Sequence, residues 1–217
     1  KTLRRTPSDI VQRAIDERLV LEVRCCVSMF EMELQDLTTQ TRDHGGDLDR
    51  AIQTYGAGPW LDLSTGINAR PYPVPDVPNT VWSALPTQSD IASLEHTAKA
   101  AYDTEACVVA LAGAQAAIQL IPRLVASGRA CIVGPTYNEH GAALTAQGWT
   151  VEMIQNAADG AAADLVTIVN PNNPDGRVWA TATLLELADQ VGVLILHDSF
   201  IDCTTPPSPA TQMDGNS

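Results

Sequence analysis

Between residues 106 and 202 the sequence alternates short apolar, β-rich runs with segments that have helical spacing. The predicted strands are Ala106–Leu111, Ala130–Val133, Thr150–Ile154, Leu165–Val169 and Val193–Leu196. The predicted helices are Gln115–Ala126, Glu139–Gln147 and Thr181–Val191. Strands that alternate with helices form βαβ units, in which parallel strands are covered by helices on both faces. The sequence therefore predicts an α/β fold with a mostly parallel sheet between two helical layers.

The two ends of the chain do not share this alternation. Residues 1–31 include a stretch of helical spacing, Ser8–Val23, which we interpret as part of an N-terminal extension that packs little against the sheet. The last residues, Thr204–Ser217, are rich in proline and small polar side chains, and this composition predicts a disordered tail. Residues 56–88 are rich in proline and glycine and are predicted to be irregular.

Charge and composition exclude several classes of function. The 217 residues include 26 acidic and 13 basic side chains, and a net charge of −13 repels nucleic acid. No apolar run approaches the roughly 18 residues of a membrane helix, so no membrane partner is expected. The five cysteines form no CxxC motif and no signal peptide is visible, which favours a cytoplasmic protein. The four histidines lack the spacing of a metal site, and none is predicted.

Distinctive polar motifs follow the predicted strands directly. Asn170–Arg177 (NPNNPDGR) is a doubled Asn-Pro motif, predicted to be a rigid loop with the amides of Asn170 and Asn173 directed outward. The small residues of Gly113–Ala117 open a helix, where free N–H groups and the helix dipole favour a phosphate. Because ligands bind at the carboxyl ends of parallel strands, we expect a site there.

Two further motifs contribute an aromatic ring and a carboxylate at the same edge. Tyr137 lies in Gly134–His140 (GPTYNEH) and could stack on a planar ring or simply cover the start of a helix. Asp198 follows the last predicted strand and could pair with a protonated ring nitrogen or cap a turn. Each motif alone is compatible with an ordinary turn, but together they predict a site for a phosphorylated, planar ligand.

These motifs together resemble the large domain of fold-type I pyridoxal-phosphate enzymes. More specifically, residues 40–202 resemble the threonine-phosphate decarboxylases of cobalamin biosynthesis. The segments that carry this resemblance are Asp43–Asp49 (DHGGDLD), Trp60–Asn68 (WLDLSTGIN), Pro71–Pro75 (PYPVP), Ala114–Leu124 (AQAAIQLIPRL), GPTYNEH and NPNNPDGR. The resemblance implies a three-layer αβα large domain over residues 32–203, truncated before the small domain of the family.

The resemblance also implies roles for individual residues around pyridoxal 5'-phosphate. Ala114 and Gln115 would hold the phosphate, and Tyr137 would stack on the pyridine ring. Asn173 would donate a hydrogen bond to the ring hydroxyl. Asp198 would pair with the ring nitrogen and keep it protonated, so that the ring accepts electrons. Asp198 and Tyr137 are thus the expected catalytic residues.

Further implications concern the substrate and the partner subunit. His44 and Asn68 would lie near a small phosphorylated amino acid, L-threonine O-3-phosphate, whose decarboxylation gives 1-aminopropan-2-ol phosphate. The intact family enzyme would be a homodimer with its active site at the interface.

The sequence departs from the family pattern in two places. Family members usually read Asp-Glu-Ala/Ser-Phe where this chain reads His197-Asp198-Ser199-Phe200. Alignment on Ser-Phe puts the key aspartate at His197, and alignment on the aspartate puts it at Asp198, which we choose. The second departure is that the lysine whose amine would bind the cofactor covalently is missing from its expected place, since the only lysines are Lys1 and Lys99. Lys99 is predicted to be a solvated lysine on a helix.

These observations predict a threonine-phosphate decarboxylase chain that is inactive as it stands. Two alternatives remain open at this point. One is an aminotransferase of the histidinol-phosphate type, which shares the cofactor motifs. The other is a non-catalytic remnant or binding module that lacks the Schiff-base lysine.

Overall fold

The structure, a computed structural model, describes residues 20–23, 45–68 and 70–203. His44, the tail from residue 204 and most of the predicted extension lie outside these residues. The chain divides into two compact units, which we describe separately. One holds the described residues from 45 to 87, and the other holds residues 20–23 and 88–203.

The larger unit is built on a sheet of five parallel strands. The strands are β1 (Val20–Val23), β2 (Arg129–Val133), β3 (Thr150–Ile154), β4 (Leu165–Val169) and β5 (Val193–His197). Their order across the sheet is β1-β5-β4-β2-β3, and each neighbouring pair is parallel. All strands therefore end at the same edge, where the predicted polar motifs follow β2, β4 and β5.

Helices connect the strands and complete the smaller unit. The α-helices are α1 (Leu48–Tyr55), α2 (Gln88–Tyr102), α3 (Gly113–Leu120), α4 (Glu139–Ala146) and α5 (Thr181–Ala188). Short 3₁₀ turns span Asn79–Trp82, Ile121–Arg123, Ala157–Gly160 and Ile201–Cys203. No helix among the described residues is long and apolar enough to span a membrane.

One face of the sheet packs against α3 and α4. Because successive strand residues point to opposite faces, every second residue of a strand joins the same core. On this face Ile132, Leu165 and Ile195 pack with Ala117 of α3 and Leu144 of α4. Ile132, Leu165 and Ile195 are 2 % exposed or less.

The opposite face packs against α5 and the turn Ala157–Gly160. Val166, Ile168 and Leu194 alternate with the residues of the first face and meet Leu184 and Leu187 of α5. Two separate cores therefore lie on the two sides of one sheet. This arrangement confirms the predicted α/β fold with three layers.

Two of the sequence predictions are wrong. Ala106–Leu111 forms no strand, although its composition is β-rich. An isolated extended segment gains little stability without a paired neighbour, and none of the described strands pairs with it, so Val109 is 58 % exposed. The helix predicted over Ser8–Val23 is wrong for its last four residues, because Val20–Val23 forms a strand that pairs with β5, and residues 8–19 lie outside the described residues. At least these four residues of the proposed extension therefore belong to the sheet.

The other predicted elements are confirmed with small changes at their ends. β3 and β4 have the predicted bounds, and β2 and β5 are each one residue longer. The helix after Gly113 ends at Leu120 and continues as a 3₁₀ turn, because Pro122 cannot donate the next helical hydrogen bond. Helix α4 ends before Gly148, whose φ of 82° suits the glycine that terminates a helix.

The smaller unit is mostly irregular, as its proline and glycine content predicts. Among residues 45–68 and 70–87, the α-helix α1 begins at the N-cap Asp47, whose Oδ1 accepts a hydrogen bond from Arg50 N at 2.9 Å. Two of the motifs behind the resemblance meet here. Gly46 N donates to Ser64 Oγ at 2.7 Å, and a Cβ on Gly45 would lie 1.9 Å from Ser64 O. Glycine is therefore required where these two segments cross.

Candidate functional site

The loops that follow β2 and β4 are joined by the side chain of Asn172. Thr136 Oγ1 donates to Asn172 Oδ1 at 2.6 Å, and Asn172 Nδ2 donates to Pro135 O at 2.9 Å. Asn172 Nδ2 also donates to Asp175 Oδ1 at 2.8 Å within its own loop. The amide is only 8 % exposed, so these bonds form away from water. Asn172 therefore holds the loop of Tyr137 against the loop of Asn173.

The loop after β4 is also anchored from within. Asn170 Oδ1 accepts a hydrogen bond from Trp179 N at 2.9 Å, and Asn170 is 1 % exposed. Its amide is therefore part of the core, and the prediction that it points outward is wrong. The backbone N–H of Arg177 and the amide of Asn172 both donate to Asp175, and these bonds lower the pKa of that carboxyl. Asn173, in contrast, is partly exposed.

Replacement of Asn172 by alanine is expected to lower the free energy of unfolding by about 1–3 kcal/mol. The substitution leaves the Pro135 carbonyl and the Thr136 hydroxyl without the amide that satisfies them. Urea unfolding followed by circular dichroism measures the change. Asn156→Ala is the matched control, because Asn156 is exposed and its 3.4 Å contact with Asp159 is weak. Equal losses in the two variants would contradict the anchoring role of Asn172.

Helix α3 begins at the predicted phosphate turn. No side chain caps its N-terminus, and the first N–H groups of a helix have no partner within the helix. Gly113 has φ 81°, and a Cβ placed on it would meet no atom within 4 Å. Gln115 Nε2 donates to Glu139 Oε2 at 2.7 Å and so ties α3 to the start of α4. The backbone of the turn, rather than the Gln115 side chain, is thus the part that remains available to an anion.

Tyr137 lies between β2 and α4, partly exposed and in contact with two buried histidines. Its ring centroid is 6.5 Å from that of His140 and 6.4 Å from that of His197, in both cases edge to face. His140 is on α4, and His197 is the last residue of β5. The aromatic ring predicted from the sequence is therefore at the sheet edge, beside the end of β5.

The two histidines are joined to each other and to a serine. His140 Nε2 lies 2.8 Å from His197 Nδ1, and His197 Nε2 is hydrogen-bonded to Ser199 Oγ. Burial lowers the pKa of His140 to about 3, with a smaller contribution from His197. Burial likewise lowers the pKa of His197 to about 4. Both imidazoles are therefore neutral at neutral pH, and in the hydrogen bond between them one nitrogen donates and the other accepts.

Asp198 follows His197 directly and is 2 % exposed. The sequence prediction named it as the carboxylate at the end of the last strand, and the structure does place a buried carboxylate one residue beyond β5. The neighbouring His197 contacts the ring of Tyr137 edge to face, as His140 does.

The remaining predicted residues belong to other parts of the chain. Asn68 is exposed in the smaller unit, where its Oδ1 accepts a hydrogen bond from Arg70 N at 2.9 Å. Lys99 is near the end of α2 and partly exposed, and its Nζ donates to Glu105 O at 3.2 Å. Residues 20–23, 45–68 and 70–203 contain no cluster of three or more His, Cys, Asp or Glu side chains that could hold a metal ion.

Sequence reasoning missed His140 and Asn172. A signal for His140 was present, since it lies three residues after Tyr137 at the beginning of a helix and therefore near the same edge. Asn172 is one of three asparagines in its loop, and nothing in the sequence distinguishes the one that bridges to Thr136.

Comparison with known proteins places the chain among aminotransferase-like enzymes. Residues 87–200 match the sequence profile of the family described as aminotransferase class I and II. A threonine-phosphate decarboxylase from Sinorhizobium sp is 38% identical over 182 residues, which cover 79% of this chain and 54% of that protein. The threonine-phosphate decarboxylase of Pseudomonas aeruginosa is 40% identical over 177 residues, 77% of this chain and 53% of its own.

A match to a solved structure has lower sequence identity. The crystal structure of L-threonine-O-3-phosphate decarboxylase from Porphyromonas gingivalis aligns with a TM-score of 0.48 and 23% identity, over 54% of this chain and 40% of that one. The sequence matches confirm the resemblance drawn from the motifs. The chain spans about half the length of the curated relatives that it matches.

Proposed function

The chain belongs to the aminotransferase class I and II family, and from this membership we propose that it is part of a threonine-phosphate decarboxylase that uses pyridoxal 5'-phosphate. The observation that carries the proposal is the 38–40% identity to two proteins of that name over more than three quarters of the chain. The proposed reaction releases CO₂ from L-threonine O-3-phosphate and leaves 1-aminopropan-2-ol phosphate.

The donor set at the sheet edge fits such a cofactor. Its phosphate would be bound by the uncapped first turn of α3, where Ala114 and Gln115 offer backbone N–H groups and Gly113 faces open space. Its planar ring would stack on Tyr137, which is only partly buried. The amide of Asn173, held in place through the anchored loop of Asn172, would donate to the ring hydroxyl. When bound, the cofactor would supply an electron sink for the carbanion left by loss of CO₂.

The protein's own contribution would be to bind the cofactor and to orient it. The hydrogen bonds of Asn172 fix the loops of Tyr137 and Asn173 relative to each other, so the ring and the amide would meet a ligand as one preformed surface. At the end of β5 the resemblance assigns the ring nitrogen to Asp198. From the same resemblance, His44 and Asn68 are proposed to lie near the substrate, and the intact enzyme is proposed to be a homodimer.

The product of the reaction tests this function. The full-length product of the gene that encodes residues 1–217, incubated with pyridoxal phosphate and L-threonine O-3-phosphate, is expected to release CO₂ in amounts equal to 1-aminopropan-2-ol phosphate. Conversion of histidinol phosphate and a 2-oxo acid to a keto product and an amino acid would favour the aminotransferase instead. Failure to turn over either substrate, with the cofactor still bound, would support the non-catalytic alternative.

A further inference from the structure

The end of β5 carries the hydrogen-bonded side chains of His197 and Ser199 in addition to the carboxylate of Asp198. We propose that the hydrogen-bonded series His140–His197–Ser199, and not the carboxylate of Asp198, is the group that meets a heteroaromatic ring stacked on Tyr137. This inference rests on the proposed function and names the protein partner of the ring at that site. It predicts a ring nitrogen that stays unprotonated at neutral pH.

The register of β5 supports this assignment. Val193 and Ile195 belong to the core beneath α3 and α4, whereas Leu194 and Leu196 belong to the core beneath α5. His197 continues the first set, and its contact with His140 of α4 confirms that it points to that face. Tyr137 is on the same side, with its ring 6.4 Å from His197. A ring that stacks on Tyr137 would therefore meet His197 and its hydrogen-bond partner Ser199.

The series carries no charge at neutral pH. His140 and His197 are 3 % and 5 % exposed, and burial holds the pKa of each far below neutrality. A neutral series can run in either direction. If His140 donates to His197, then His197 Nε2–H donates to Ser199 and the Ser199 hydroxyl hydrogen is left for an acceptor. An unprotonated pyridine nitrogen is such an acceptor.

A carboxylate in the place of the Ser199 hydroxyl would have the opposite effect on the protonation of the ring nitrogen. A negative charge beside the ring favours the protonated pyridinium, whereas a neutral hydroxyl that donates a hydrogen bond to the ring nitrogen favours the unprotonated form.

The experiment observes the ring nitrogen directly. The 217-residue chain is titrated at neutral pH with pyridoxamine 5'-phosphate labelled with ¹⁵N in the ring, a probe that needs no lysine. The ³¹P signal reports binding, and the ¹⁵N chemical shift distinguishes a protonated from an unprotonated ring. The chain is expected to bind the probe with an unprotonated ring nitrogen. His197→Asp is expected to move the shift to the protonated position, and Asp198→Asn to leave it in place.

The outcomes separate this inference from the proposed function. A protonated ring nitrogen in the original chain that becomes unprotonated in Asp198→Asn would overturn the inference and leave the cofactor site standing. No saturable change in the ³¹P signal would overturn the inference and the cofactor site on this chain, whereas the decarboxylase function is judged separately by the CO₂ released by the full-length product. The ¹⁵N signals of the histidines give a second measurement that needs no variant. Two neutral rings that share one hydrogen between His140 and His197 support the inference, and a charged His197 at neutral pH overturns it.

Discussion

Purified as 217 residues and mixed with pyridoxal phosphate and L-threonine O-3-phosphate, the chain is expected to release no CO₂ above the rate of the cofactor alone. Covalent binding of the cofactor needs a deprotonated amine at the site. The sequence offers only Lys1 and Lys99. Lys99 is on α2, and its Nζ donates to Glu105 O at 3.2 Å. No described residue therefore supplies a lysine at the end of β2, β4 or β5, where the site motifs meet.

Borohydride trapping followed by peptide mapping is the measurement. The expected result is no stoichiometric label on Lys99, and Lys99→Arg is the control that preserves the positive charge. Stoichiometric labelling of Lys99 together with turnover would refute the prediction. It would also show that α2 supplies the amine in this chain.

The second large effect is on stability. Lowering the pH from 7 to about 5 is expected to lower the free energy of unfolding by about 3–4 kcal/mol through His140 and His197. Burial lowers the pKa of the two histidines in the folded state to about 3 and about 4, whereas an unfolded histidine titrates near 6.5. Between those values the unfolded chain binds more protons than the folded chain. Stability is therefore full above about pH 6.5 and falls as the pH decreases towards 4.

Urea unfolding at a series of pH values measures this dependence. The double variant His140→Gln/His197→Gln is expected to lose most of the decrease between pH 7 and about pH 5, although it is less stable at pH 7. His96→Gln is the matched control for the loss of a histidine, because His96 is exposed on α2. An unchanged slope in the double variant would mean that other groups cause the acid sensitivity.

Sequence patterns predicted β2 to β5 well, because each is a short run of β-forming residues that can be recognised without knowledge of its partner strand. Thr150–Ile154 and Leu165–Val169 have the predicted bounds, and all five residues of the latter are buried. Patterns failed where a partner decides the outcome. Ala106–Leu111 has strand composition but no paired neighbour among the described strands, whereas Val20–Val23 has helical spacing but pairs with β5. Pairing depends on distant residues, which local periodicity cannot show.

The same distinction applies to the site. The motifs predicted which strand ends carry polar residues, because ligands bind where parallel strands end. They did not predict the contact between His140 and His197, which are 57 residues apart in sequence and 2.8 Å apart in space. Nor did they show that Asn170 is buried as an anchor while Asn172 bridges two loops. Those roles depend on which loops and helices approach one another after the strands end, and the motifs alone do not show this.

The pairing of β1 with β5 has a consequence for the order in which the chain is assembled during translation. Val20 pairs with Leu194, about 170 residues later, so the first strand leaves the ribosome long before its neighbour exists. At about 5–20 residues per second the delay is roughly 10–35 seconds. During that time β2, β3 and β4 can form their contacts, which span much shorter stretches of sequence. The strand that begins the sheet in sequence is thus the last to join it, and until then its edge is open to chaperones or to neighbouring nascent chains.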